Sequence, residues 1–202
     1  MNPLLPLAIS ALGGAVAALI LQRLLAVLRK LWLDLSPIAR YDCADQTTGP
    51  GCLRQRYGKR VDDPRAHNQQ AYEHTATELQ PGKQHTIYGP YTNDFGSPGY
   101  HRVRFRIFGS GFSSTNNPVV VLDVLQAPFG SEQVYSIIGQ RVVRAREFTA
   151  KYRWFSIFCY PAGSGVYEYR CSVVPDNFDA KLQTLRFDEI RVHRHVPAAQ
   201  IL

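Results

Sequence analysis

The residues of this chain that could do chemistry are few and scattered. His193 and His195 stand two apart near the C-terminus, so on a strand both imidazoles would share one face and could approach a metal ion. No third ligand stands beside them. With Arg191 and Arg194 adjacent, the pattern reads better as a solvated basic strand end. Asp123 sits inside the apolar run VVVLDVL, where a carboxylate must be hydrogen-bonded, ion-paired or metal-bound; a salt bridge or turn contact is the preferred reading. Asp188 and Glu189 interrupt the alternation of TLRFDEIRVH, which predicts a β-bulge or an edge position. No G-x-S-x-G elbow, H-E-x-x-H helix, phosphate-binding glycine loop or dinucleotide fingerprint occurs, and no paired carboxylates stand out for glycoside hydrolysis. The chain therefore reads as a non-enzyme.

The four cysteines are Cys43, Cys52, Cys159 and Cys171. None forms a C-x-x-C pair and no histidine lies at zinc-finger spacing, so structural zinc is not expected. Cys159 and Cys171 flank the turn 161–165 and could face each other across a hairpin, while Cys43 and Cys52 could close a small loop around Gly49-Pro50-Gly51. Two such disulfides would indicate an oxidising compartment. Buried free thiols on core faces fit the same residues.

Candidate binding residues are aromatic and basic. In YHRVRFRIF, Val103, Phe105 and Ile107 point one way and Arg102, Arg104 and Arg106 the other. That stripe suits an anionic sugar, a phosphate, an acidic protein surface, or simply solvent. Tyr91, Phe95 and Tyr100 cluster with Tyr88 around one loop region, and Phe129 sits in another. Phe95 and Phe129, each flanked by Gly or Pro, could be loop-tip plugs inserted into a partner.

Four regions must position these groups. Residues 3–21 carry no charge and, at about 1.5 Å per residue, would span about 28 Å as a helix, close to the hydrocarbon thickness of a bilayer. No basic stretch precedes them and no small-residue cleavage site follows, so the segment is expected to be retained. Residues 22–35 continue at helical spacing as an amphipathic extension, with Arg23, Arg29, Lys30 and Trp32 placed for lipid headgroups. Domain 1–35 is thus predicted to be a single transmembrane helix with its extension. Residues 36–68, rich in Gly, Pro and charge, read as a linker. Residues 69–196 read as about eight strands separated by turns and form the predicted β-sandwich, and 197–202 is a tail. Basic residues follow the span and none precedes it, which places the soluble domain in the cytoplasm; paired cysteines would place it outside. The net charge of +7 suits anionic partners. Nucleic acid is not expected, because no recognition helix or aromatic-basic RNA motif occurs and the chain is tethered.

The order of a GPYT strand, a turn ending Pro-Gly-Tyr, the VRFRI strand, VVVLDV and a closing LRFDEIRV strand resembles the galactose-binding-like jelly-roll domains, which include many carbohydrate-binding modules. The resemblance covers roughly residues 72–195 and implies a mainly β, antiparallel two-sheet jelly-roll sandwich. It also implies that calcium, if bound, would involve Asp94, Asp123, Asp188 and Glu189, and that exposed aromatic rings would stack on sugar. It does not account for the apolar N-terminus. Taken together, the expected function is a non-catalytic, single-pass accessory or structural subunit of a larger membrane complex, bioenergetic or photosynthetic for instance. Its partners would be lipid and other membrane-protein subunits, with no obligatory cofactor. The alternative is a membrane-tethered carbohydrate-binding protein with glycans as partners.

Overall fold

A computed structural model describes residues 16, 18–28, 36–45, 51–75, 85–93, 95, 98–128, 135–162 and 165–194. The body is mainly β: two antiparallel sheets face each other across one apolar core. Sheet A has the order β10 (Arg153–Cys159), β7 (His101–Ser110), β12 (Thr184–Arg194), β4 (Gln70–His74), β3 (Gly58–Asp62), with β1 (Ala39–Asp42) also pairing β12. Sheet B has the order β2 (Arg54–Gln55), β5 (His85–Tyr88), β11 (Val166–Val173), β8 (Pro118–Ala127), β9 (Ser136–Arg144), with β6 (Pro90–Thr92) also pairing β11.

Side-chain alternation explains the layering. Along β7, Val103, Phe105 and Ile107 enter the core while the intervening arginines stay half-buried on the outer face. The continuous apolar run of β8 lies between β11 and β9, and Leu122 and Val124 are fully buried against β11. The interruption at Asp188 is a bulge: the register with β7 shifts between Phe187 and Glu189, so Glu189 lies opposite Arg106. At one flank of the sandwich β9 and β10 approach closely. A Cβ on Gly139 would lie 2.5 Å from Ile157 Cγ2, so only a glycine permits that contact.

Several expectations are corrected. Residues 36–68, read as a linker, supply β1, β2 and β3, so the sandwich begins well before residue 69. Polar, turn-rich sequence hid these strands because they are short edge or near-edge elements with little need for apolar alternation. The segments around Cys159 and Cys171, read as one hairpin, belong to different sheets: β10 pairs β7, and β11 pairs β8, β5 and β6. All four cysteines are free, which removes the Cys159–Cys171 bond and the compartment argument built on it. The membrane-helix reading of residues 3–21 lies mostly outside the described residues, as do Arg29, Lys30 and Trp32. Residues 16 and 18–28 are helical, and among the described residues no helix is long and apolar enough to cross a membrane. Arg23 is exposed on that helix, and Leu19, Ile20, Leu21, Leu24, Leu25 and Leu28 are exposed too.

Candidate functional site

The outer face of sheet A gathers most of the arginines singled out in the sequence. Alternation turns Arg102, Arg104 and Arg106 of β7 outward, opposite His193, Arg191 and Glu189 of β12 on one side. On the other side they lie opposite Phe158, Ser156 and Trp154 of β10. The face divides into two halves of different character.

The half nearer the ends of β7 and β10 that meet the loop 145–152 is a closed ionic layer. Phe108 turns outward there and is covered by Arg65, whose guanidinium lies 4.4 Å from the ring centroid, and by the Tyr152 ring at 5.5 Å. Asp63, 1% exposed, accepts hydrogen bonds from Arg65 Nε (2.9 Å), Arg186 Nη1 (2.8 Å) and Tyr152 Oη (3.1 Å). Burial pushes the Asp63 carboxyl up, but the Arg65, Arg186 and Tyr152 bonds outweigh it and hold the group well below the usual carboxylate range. Arg186 also binds Glu73 at 2.7 Å, and Arg106 pairs with the bulge residue Asp188, which accepts from the His67 backbone N–H as well. Burial nevertheless raises Asp188, with Glu189 adding to the rise and His67 and Arg106 opposing it. In this half the arginines Arg65, Arg106 and Arg186 meet the carboxylates Asp63, Glu73 and Asp188.

The other half is different. Arg104 and Arg191 are direct cross-strand partners, and both lie over Trp154, at 4.5 and 4.8 Å from the ring centroid. Arg191 holds Glu189 with two bonds of 2.7 and 2.9 Å, and Glu189 is shared with Arg40 at 3.2 Å. Arg104 makes no salt bridge among the described residues, and burial followed by the charges of Arg102 and Arg191 lowers its pKa. Beside it runs an aromatic shelf. Phe158 is 58% exposed, Tyr160 56% and Tyr100 43%, and the Tyr100 and Tyr160 rings pack edge-on at 4.9 Å. Rings of this size left in solvent at and just beyond strand ends are suited to stacking on the flat apolar face of a ligand ring.

Of the sequence candidates, the fold brings Tyr100, Arg102, Arg104 and Arg106 to this face, with Arg106 engaged by Asp188. Phe95 does not plug a partner: it is 1% exposed, packed edge-on against His101, Tyr167 and Tyr169 in the core. Tyr91 lies on sheet B, in the left-handed region at φ 66°, donating to the buried Glu168 at 3.2 Å. Phe129 and Asp94 fall outside the described residues. The calcium set does not assemble. Asp123 is on sheet B and accepts from Gln140 Nε2 at 2.8 Å, whereas Asp188 and Glu189 are on sheet A and ion-paired. Among the described residues no three metal-ligating side chains come together. Trp154 and Phe158 were missed because β10 carries apolar residues on both faces, so its outward rings resemble core, and Tyr160 follows them just past the strand end; Arg191, on β12, reads in the sequence only as part of a solvated basic strand end. At the far end of the sandwich a shallow polar recess of about 290 Å³ is lined by Ser113, Thr115, Asn117, Asp176, Asp179 and Gln183, and it lacks an exposed ring.

No protein-family model matches this chain, and no curated protein matches it. Among solved structures it is similar to a family 35 carbohydrate-binding module from Clostridium thermocellum, with TM-score 0.48, 13% identity, and coverage of 77% of this chain and 98% of the other. It is also similar to a carbohydrate-binding module of a Cellvibrio mixtus lichenase in complex with cellotriose, with TM-score 0.45, 10% identity, and coverage of 80% and 100%. A third similar structure is the K1 adhesin domain of Lys-gingipain from Porphyromonas gingivalis, with TM-score 0.47, 11% identity, and coverage of 78% and 98%. At these scores and identities the likenesses carry no argument about ligand, and the two-sheet architecture rests on the strand pairing itself.

Proposed function

We propose that this chain is a non-catalytic glycan-binding module held at a membrane by its apolar N-terminus, with the outer face of sheet A as its ligand surface. The observation that carries the reading is the shelf of Tyr100, Phe158 and Tyr160, exposed on strand ends and continuous with the arginine stripe. Sugar rings present apolar faces for such stacking and equatorial polar groups for side chains beside it. The face's carboxylates support a binding role rather than a catalytic one, since Glu189, Asp188 and Asp63 are each engaged by arginine. Tethering is supported by the uncharged run 3–21 and by the exposed apolar side chains among residues 16 and 18–28. That exposed helix also favours a second reading, the accessory subunit of a larger membrane complex, in which it would pack on neighbouring helices.

Affinity electrophoresis of the detergent-solubilised chain through gels containing a panel of polysaccharides tests the first reading. At least one glycan should retard it, and Phe158→Ala or Tyr160→Ala should weaken retardation by about five- to tenfold, the value of one lost stacking contact. Free migration through every gel, or full retardation of both variants, refutes it. Co-purification of stoichiometric membrane-protein partners in mild detergent would instead support the subunit reading.

A further inference from the structure

We propose that the face is selective for anionic glycans, chains bearing carboxylate or sulfate groups, and that Arg104 and Arg102 are the residues that meet the acid. The inference rests on the reading of this face as glycan-binding and specifies which glycans it takes.

Charge is unevenly compensated along this single sheet face. Each of Arg65, Arg106 and Arg186 has a carboxylate of the fold in salt-bridge contact. Two residues along the same stripe from Arg106, Arg104 faces another arginine, Arg191, squarely across the strand pair. Like charges directly opposite one another destabilise a sheet. The carboxylate nearest that pair, Glu189, is bound by Arg191 and by Arg40. Arg104 has the Trp154 ring as its neighbour and makes no salt bridge among the described residues. A ligand acid group placed over β7 would occupy for Arg104 the role that Asp188 fills for Arg106, and would relieve the Arg104–Arg191 repulsion.

The register puts that acid group within reach of the shelf. Phe158 lies directly opposite Arg102, and Ser156 directly opposite Arg104, on adjacent strands about 4.8 Å apart. A sugar ring stacked on Phe158 and Tyr160 therefore projects its substituents over Arg102 and Arg104. Guanidinium groups suit carboxylate and sulfate because they offer paired N–H donors in a plane.

The test uses matched pairs of polymers that differ in acid content: de-esterified against fully methyl-esterified polygalacturonate, and dextran sulfate against dextran. The full chain in detergent should bind the acidic member of at least one pair about tenfold or more tightly. Arg104→Gln and Arg102→Gln should each remove about five- to tenfold of that advantage, read as the ratio of acidic to neutral binding measured for each variant. Phe158→Ala should weaken both members. Lys151→Gln, which removes an exposed charge away from the shelf, should leave the preference intact. Thermal melts of each variant distinguish lost binding from lost fold.

Equal binding of acidic and neutral members, with Phe158→Ala still damaging, overturns the anion inference and leaves the glycan reading standing. A Lys151→Gln effect as large as that of Arg104→Gln overturns it as well, because the preference would then be bulk charge. Binding to no polymer defeats both readings. Arg104-dependent retention on phosphatidylglycerol vesicles, without glycan binding, would assign the arginines to lipid headgroups and overturn the proposal.

Discussion

Asp63→Asn should destabilise the sandwich by about 3 kcal/mol. The side chain is 1% exposed and takes hydrogen bonds from Arg65, Arg186 and Tyr152. Removing one partner of a buried ion pair costs about 3–5 kcal/mol. Two features reduce that here. Arg65 is 53% exposed and can rehydrate, and Arg186 keeps Glu73 at 2.7 Å. Asparagine retains one acceptor, but turns an amide N–H₂ toward groups that donate, which restores part of the cost. With a urea m-value of about 2 kcal/mol/M for a domain this size, the unfolding midpoint should fall by about 1.5 M with m unchanged. The pH profile supplies a second readout. A carboxyl held below its unfolded value of about 3.9 stabilises the fold above that value and loses its contribution as pH falls through the folded one. Asp63→Asn should therefore flatten the acid limb of the stability curve. Asp188 has the opposite sign, since its raised pKa withdraws stability as pH climbs from the unfolded value toward the folded one, so Asp188→Asn should not flatten that limb. A midpoint shift below about 0.25 M, or an unchanged acid limb, would refute the account of this network.

Phe95→Ala should cost about 3–4 kcal/mol, read by the same denaturation assay, because the ring is a core residue; a loop-tip plug would cost almost nothing. Gly139→Val should destabilise by about 2 kcal/mol or more, since its branched side chain would be driven into Ile157 where a Cβ already lies 2.5 Å away, and a neutral result would show that β9 can move off β10. In the native state a thiol reagent at pH 8 should label Cys52 first: Cys43, Cys159 and Cys171 are buried, and burial pushes the Cys159 thiol up to about 12. Rapid labelling of Cys159 without denaturant would contradict its place on the core side of β10.

The sequence alone determined those features whose physics is local. A period of two in HRVRFRIF dictates which side chains share a face, whatever pairs with the strand, and β7 shows that pattern. The break at Asp188-Glu189 pointed to a bulge or an edge position, because two acidic residues cannot both continue an apolar alternation, and the register shift makes it a bulge. Pairing is not local. β10 and β11 follow each other with six residues between them, yet they lie in opposite sheets, so a cysteine pair plausible for a hairpin became two free buried thiols. The strands hidden in residues 36–68 form only because β12, β4 and β5 offer them partners. The arginine stripe shows the division most clearly. Arg102, Arg104 and Arg106 are alike in sequence, and their outward direction follows from alternation. Which of them the protein neutralises was decided by residues far away in the chain. Asp188 reaches Arg106 across the bulge, while Arg191 arrives opposite Arg104 with Glu189 already bound. Charge pairing of this kind depends on which side chains the strand pairing of sheet A brings within a few ångströms, and only the tertiary fold sets that distance.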